Sequence, residues 1–153
     1  MSLNCSHDAW NGDFFVFRTW RRKLAAAAML PPLDLMEGFY TALAPYNHGS
    51  APTLSSVADK ETAERLAILE PCLPIQWECL KPDVLHELLY IDCYHGVVPA
   101  ERCAALADRL EVVALKMPET DDTNRGRNWR QKTRTFAAGL RRAADAGEAL
   151  AFS

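Results

Sequence analysis

Apolar residues recur at steps of three and four along three stretches of the chain, and each repeat draws one face of a helix. The first carries Phe14, Phe17, Trp20, Leu24, Ala27 and Ala28, starts at Asp13 behind Asn11 and Gly12, and predicts a helix over 13–29. Pro31 and Pro32 close it, because prolines cannot donate to the preceding turn and push their neighbour out of helical geometry. The second places Cys103, Leu106, Ala107, Leu110, Val113, Ala114 and Met117 on one side and Glu101, Arg102, Asp108, Arg109 and Glu111 on the other, a helix over 99–117 opened by Pro99. The third shows Trp129, Phe136, Leu140 and Ala144 before Gly147, a helix over 124–146 capped by the polar stretch from Glu119 to Thr123.

Shorter patterns fill the middle. Ser55 or Ser56 caps a helix over 56–69 that turns Leu66 and Leu69 inward, and Pro82 opens another over 82–91 with Val84, Leu85, Leu88 and Leu89 on one broad side. Ile75, Trp77 and Cys79 alternate with Gln76 and Glu78, which predicts a short half-buried strand between Pro74 and Leu80. Leu35, Met36, Phe39 and Leu43 sketch a second short helix over 33–43, weakened by Gly38. Residues 45–56 are turn formers almost throughout and form the expected surface loop, while Glu148 to Ser153 shows no pattern. The expected fold is mainly α: one domain over 1–153, a bundle of about five helices with room for a short strand pair.

Composition narrows the class. With 153 residues, 49% hydrophobic and 24% charged, the chain has the make-up of a soluble globular domain, and wholesale disorder is excluded. Its longest apolar run, Leu24 to Leu30, falls far short of the ~20 residues of a membrane span, so no membrane partner is expected. Arg21, Arg22 and Lys23 before that run imitate an export signal, but they lie behind Trp10, Phe14, Phe15 and Phe17, and the expected compartment is the cytoplasm. Five cysteines, at 5, 72, 79, 93 and 103, are an odd number and read as reduced thiols. Met1, Ser2 and Leu3 read as an expression scar, with native numbering from near Asn4.

Charge divides the chain into unlike parts. Arg125, Arg127, Arg130, Lys132, Arg134, Arg141 and Arg142 stand between 125 and 142 with no acid, +7 inside a protein of net −3, and Arg18, Arg21, Arg22 and Lys23 add +4. Residues 24–124 hold sixteen acids against six bases, −10. A partner-binding role therefore falls on Arg125, Arg127, Arg130, Arg134, Arg141 and Arg142, because complementary charge supplies orientation and on-rate. Nucleic acid is the alternative partner, since arginine forks match phosphate oxygens and an exposed indole stacks on a base. Weighing against it, Trp129 lies on the apolar stripe, and charged helix faces are usually solvated or matched inside the fold.

Cys79, His86, Cys93 and His95 form C-x6-H-x6-C-x-H, ligand types that suit zinc at a spacing that does not, and neither metal nor cofactor is expected. The turn from Asp92 to Val98 has the outline of a calcium loop around Gly96. The ligand positions fall on Ile91, Cys93, His95 and Arg102, which provide no carboxylate cage. Asp92, His95 and Cys93 are the weak candidates for acid-base and nucleophilic chemistry there, and no phosphate loop, dinucleotide fingerprint or hydrolase elbow occurs.

Ser6-His7-Asp8-x-Trp10-x-Gly12 with Phe17 and Arg18 to Arg22, then Leu73-Pro74-Ile75-x-Trp77-Glu78-x-Leu80-Lys81-Pro82, then Asp92-Cys93 with a nearby glycine, resembles a group of small uncharacterised bacterial and phage proteins. The group's turn reads Asp-Cys-Asp-Gly, whereas Tyr94 and His95 precede Gly96 here. The resemblance implies a bacterial or phage cytoplasmic protein and carries no activity with it. The expected function is a non-catalytic interaction module for a protein partner. The alternatives are a nucleic-acid-binding accessory protein using 125–142, and a small enzyme or metal protein built at 86–96.

Overall fold

The computed structural model describes residues 2–36, 76–91, 95–119 and 128–153. In chain order these form β1 (Ser2–Asn4), β2 (Asn11–Asp13), α1 (Phe14–Ala27), α2 (His86–Leu89), β3 (Val97–Val98), α3 (Ala100–Leu115), α4 (Trp129–Ala146) and β4 (Leu150–Ala151). The described part is mainly helical, and none of its helices is long and apolar enough to cross a membrane.

The three strong periodicities become the three long helices. Asp13 caps α1, its Oδ1 accepting from the Phe15 amide at 2.7 Å, and the helix ends at Ala27, two residues before Met29 takes a left-handed φ of 58°. Asn128, rather than the acidic stretch before it, caps α4 by accepting from the Gln131 amide at 2.8 Å. Gly147 ends α4 at φ 67°, a conformation open to glycine without steric cost.

The middle of the chain departs from expectation. Four helices rather than five occur among the described residues; the helix over 56–69 and the loop over 45–56 lie outside them. Trp77–Leu80 is a 3-10 helix and not a strand: the alternation that suggested half-burial fails because Cys79 is exposed and only Leu80 is fully buried. Of the helix over 82–91 only α2 forms. Turns occupy 81–85, where the Asp83 carboxylate takes the Leu85 amide at 3.0 Å. Of the pattern over 33–43, Leu33–Leu35 forms one 3-10 turn and the positions after Met36 are outside the described residues.

The chain ends, which showed no pattern, are stitched together. β1 pairs antiparallel with β2 and β3 with β4, and Asn4 and Ser153 exchange both backbone hydrogen bonds at 2.9 Å, with Cys5 facing Phe152 next to them. One step further Ser6 would pair with Ala151. The Ser6 backbone has by then turned away, and its hydroxyl accepts the Ala151 amide instead, at 2.9 Å. The tail thus ties Val97–Val98 on one side to the N-terminal strand on the other. It buries Leu150 and Phe152, and at the other end of the ladder Leu3, assigned to a leading scar by sequence, is a core residue.

The core gathers aromatic rings from four segments. Trp10 stacks on Trp20 at 5.2 Å and meets Phe17 edge-on at 5.0 Å; Trp20 lies 4.9 Å from Phe136, and Phe152 closes on Phe17 at 5.6 Å. The Trp20 indole donates to Thr133 Oγ1 at 2.9 Å, which in turn donates to the Trp129 carbonyl at 2.8 Å, so the buried polar atoms of that contact are satisfied. Arg21, from the basic run that imitates an export signal, is buried over the Phe17 ring and donates to the carbonyls of Leu88 and Leu89, at the end of α2, and of Ile91 just past it.

Candidate interaction surface

α3 and α4 pack antiparallel, and the arginines of α4 fasten them. Near the start of α4, Arg130 donates to the carbonyls of Ala114, Leu115 and Met117 and pairs with Glu119, which caps the end of α3 with a cation where the helix dipole is negative. Near its end, Arg141 forks onto Glu111 at 2.8 Å and Asp108 at 2.6 Å. Hydrogen bonds to Glu111 and Asp108 hold the Arg141 guanidinium above its ordinary value, and the same bond from Arg141 holds the Glu111 carboxyl below its own. Arg142 donates to the carbonyl of His7 at 3.0 Å.

Of the six arginines assigned to partner binding, three are thus engaged within the fold, two (Arg125 and Arg127) lie outside the described residues, and Arg134 is exposed with no ion pair or hydrogen bond among them. Lys132 sits over the Trp10 ring at 5.0 Å, and Trp129 is buried, so its indole offers no stacking platform for a base. Among the described arginines of this set, only Arg134 is left for a nucleic-acid phosphate.

Arg142 and its neighbours secure a strained turn. His7 and Asp8 both take left-handed φ values, 56° and 54°, which cost non-glycine residues about 1–2 kcal/mol each. The turn is held by Arg142 on the His7 carbonyl, by Glu148 against His7 Nε2 at 2.9 Å, and by Ala9 packed against α4 at Gly139. The motif Ser6-His7-Asp8 is accordingly a docking device that seats the N-terminal segment on α4 and β4.

The weak metal set is not assembled by the described residues. Cys79 is exposed, His86 stacks on Tyr90 at 5.7 Å, His95 is exposed, Cys93 lies outside the described residues, and no group of three potential ligands occurs among those described. Cys103 is buried, its thiol near the carbonyls of Val98 and Pro99, and burial pushes its pKa up, away from the reactive thiolate.

On the opposite edge of α3, Arg109 grips Asp83 with a bond at 2.9 Å. Burial raises the Asp83 carboxyl, but hydrogen bonds from Arg109 and the Leu85 amide, with the Arg109 charge, bring it below its ordinary value of 3.8. Because the folded value is the lower one, the stability it brings is complete above about pH 4 and is lost as pH falls through the folded value. Asp83→Asn is expected to cost about 1 kcal/mol near pH 6 and to converge on the parent protein toward pH 2, followed by urea midpoints across that range. A difference that stays constant with pH would show that the Asp83 charge is not what binds Arg109.

Phe15, Met29, Tyr90 and Val97 are exposed in separate segments, whereas the outer side of α3 carries two exposed aliphatic residues one turn apart. Cys103, Leu106, Ala107, Leu110, Val113 and Ala114 are buried, whereas Leu115 is 66% and Val112 49% exposed, and Ala104 and Ala105 are exposed two turns earlier. These are surplus apolar residues. Sequence reasoning assigned that side to charge and passed over them, although two large aliphatic side chains off the core stripe were the signal. No family model, curated protein or solved structure matches the chain.

Proposed function

We propose that the protein is a non-catalytic interaction module that binds an amphipathic helix along the outer side of α3. The observation that supports this is the pair Val112 and Leu115, aliphatic and exposed on a rigid helix whose opposite side is wholly core. Exposed apolar residues scattered singly are ordinary, but two at i and i+3, with alanines at 104 and 105 continuing the strip, form the kind of seam that a second helix covers. One acid, Asp108, stands in the strip between Ala104 and Val112, and Arg141 holds it together with the neighbouring Glu111. The bound helix would present small side chains to Val112 and Leu115, and charges opposite to Glu101 at one end and Lys116 at the other. The arginine row of α4 keeps a secondary part, through Arg134, in orienting an acidic partner.

A photocrosslinking residue placed at Val112, in cells of the organism that encodes the protein, tests this. One dominant crosslinked product is expected, with the attached peptide reading by mass spectrometry as an amphipathic helix. The same residue at Ala146, at the end of α4, should give none. No product from 112, or equal products from both positions, would remove the reading.

A further inference from the structure

The outer side of α3 is self-complementary, and we infer that its occupant is α3 of a second copy of this chain, packed antiparallel about a twofold axis between Asp108 and Arg109. The inference rests on the reading of α3 as a helix-binding surface and adds the identity of the helix. Over the 16 residues of α3 the small and large side chains are segregated: Ala104 and Ala105 lie toward its N-terminal end, Val112 and Leu115 toward its C-terminal end. An antiparallel copy about that axis sets Val112 directly against Ala105 and brings Leu115 between Ala104 and Glu101, so that large side chains meet the small-residue end of the partner at both ends of the seam. A parallel copy sets large on large and leaves a gap between alanines, which close packing disfavours.

Charge selects the same arrangement. Glu101 at one end and Lys116 just past the other are exposed, and neither has an ion-pair partner among the described residues. In the antiparallel register their positions sum to the same value as Ala105 with Val112. Each copy's Glu101 therefore meets the other's Lys116, and both pairs form at once. The parallel register opposes like charges at both ends. The Asp108 carboxylates of the two copies come near the axis, each paired with its own Arg141, and the pairs of Arg141 with Glu111 and of Arg109 with Asp83 hold the neighbouring charges within each copy.

One helix of about 24 Å gives a seam smaller than the roughly 800 Å² per partner of a standard interface, so a dimer of micromolar or weaker affinity is expected. Sedimentation equilibrium of the full chain from about 5 to 500 μM tests it, with circular dichroism to confirm that each variant is folded. A monomer–dimer equilibrium is expected. Glu101→Lys and Lys116→Glu should each weaken it about tenfold by opposing like charges twice, and the two together should restore it to within about twofold. Leu115→Glu should leave only monomer. A parent protein that stays monomeric to 500 μM, or single reversals that change nothing, or a double reversal that fails to restore, would each overturn the dimer. If the parent is monomeric while Val112 still crosslinks a different protein, the helix-binding reading stands and only the second copy is excluded; if neither occurs, both fall.

Discussion

Replacing Phe152 by alanine is expected to lower stability by about 3–5 kcal/mol, the usual result of emptying a fully packed aromatic site. The ring is 5% exposed, lies 5.6 Å from Phe17 and 6.3 Å from Phe136, and sits in the tail that bonds to both Asn4 and Gly96. For a protein of this length each kcal/mol moves the melting temperature by roughly 2–4 °C, so the midpoint should fall by about 6–20 °C. Thermal and urea melts of the variant measure it. A loss below about 1 kcal/mol would mean that the tail lies on the core without completing it.

The second large effect runs against helix propensity. Gly139 lies inside α4, where exchange for alanine ordinarily stabilises by about 1 kcal/mol. A Cβ at this position would stand 2.4 Å from Ala9 Cβ and 2.6 Å from Ala9 Cα, and the Ala9 backbone has little room to retreat behind the left-handed pair His7 and Asp8. Gly139→Ala is therefore expected to destabilise by about 1–3 kcal/mol. Adding Ala9→Gly removes the closer contact and leaves the one to Cα. The double variant should recover part of the loss, with a coupling of about 0.5 kcal/mol or more in a double-mutant cycle. A Gly139→Ala protein that melts higher than its parent would show that the N-terminal turn does not press on α4.

Both effects fall where local pattern is silent. The stripes of α1, α3 and α4 were legible because each is long enough for three or four turns to repeat the same face: Phe17, Trp20 and Leu24; Cys103, Leu106 and Leu110; Phe136 and Leu140 are all buried as their spacing requires. Gly147 and Asp13 were legible as punctuation, since each performs a backbone task suited to its residue type. Leu150 and Phe152 were not, because two strand residues set no period and their partners, Val97 and Val98 on one side and Asn4 and Cys5 on the other, are distant in sequence. The segment Trp77–Leu80 misled for a related reason: three alternating residues fit a strand and a 3-10 turn alike.

The candidate surface was half legible. The charge count found the arginines of α4, yet it could not show that Arg130, Arg141 and Arg142 are engaged by α3 and by the His7 turn, since the acceptors Ala114, Glu111 and His7 are brought near only by the fold. What a count of charges hides is how many remain for a visitor. Val112 and Leu115 were readable in principle, as aliphatic residues on the wrong side of a helix whose other face was already full.

The ladder that joins Asn4 and Cys5 to Phe152 and Ser153 also orders events during synthesis. Strand β1 leaves the ribosome ahead of the described helices and finds β2 within a few residues, but the segment that completes its other edge is translated after every one of them. Until then Phe17 and Phe136 lack the ring that covers them, and the nascent chain carries an open aromatic core and an unpaired strand edge, both of which invite aggregation. A chain released after Gly147 would contain every described helix and still miss its clasp, a species that the cell's proteases and chaperones would meet as incomplete.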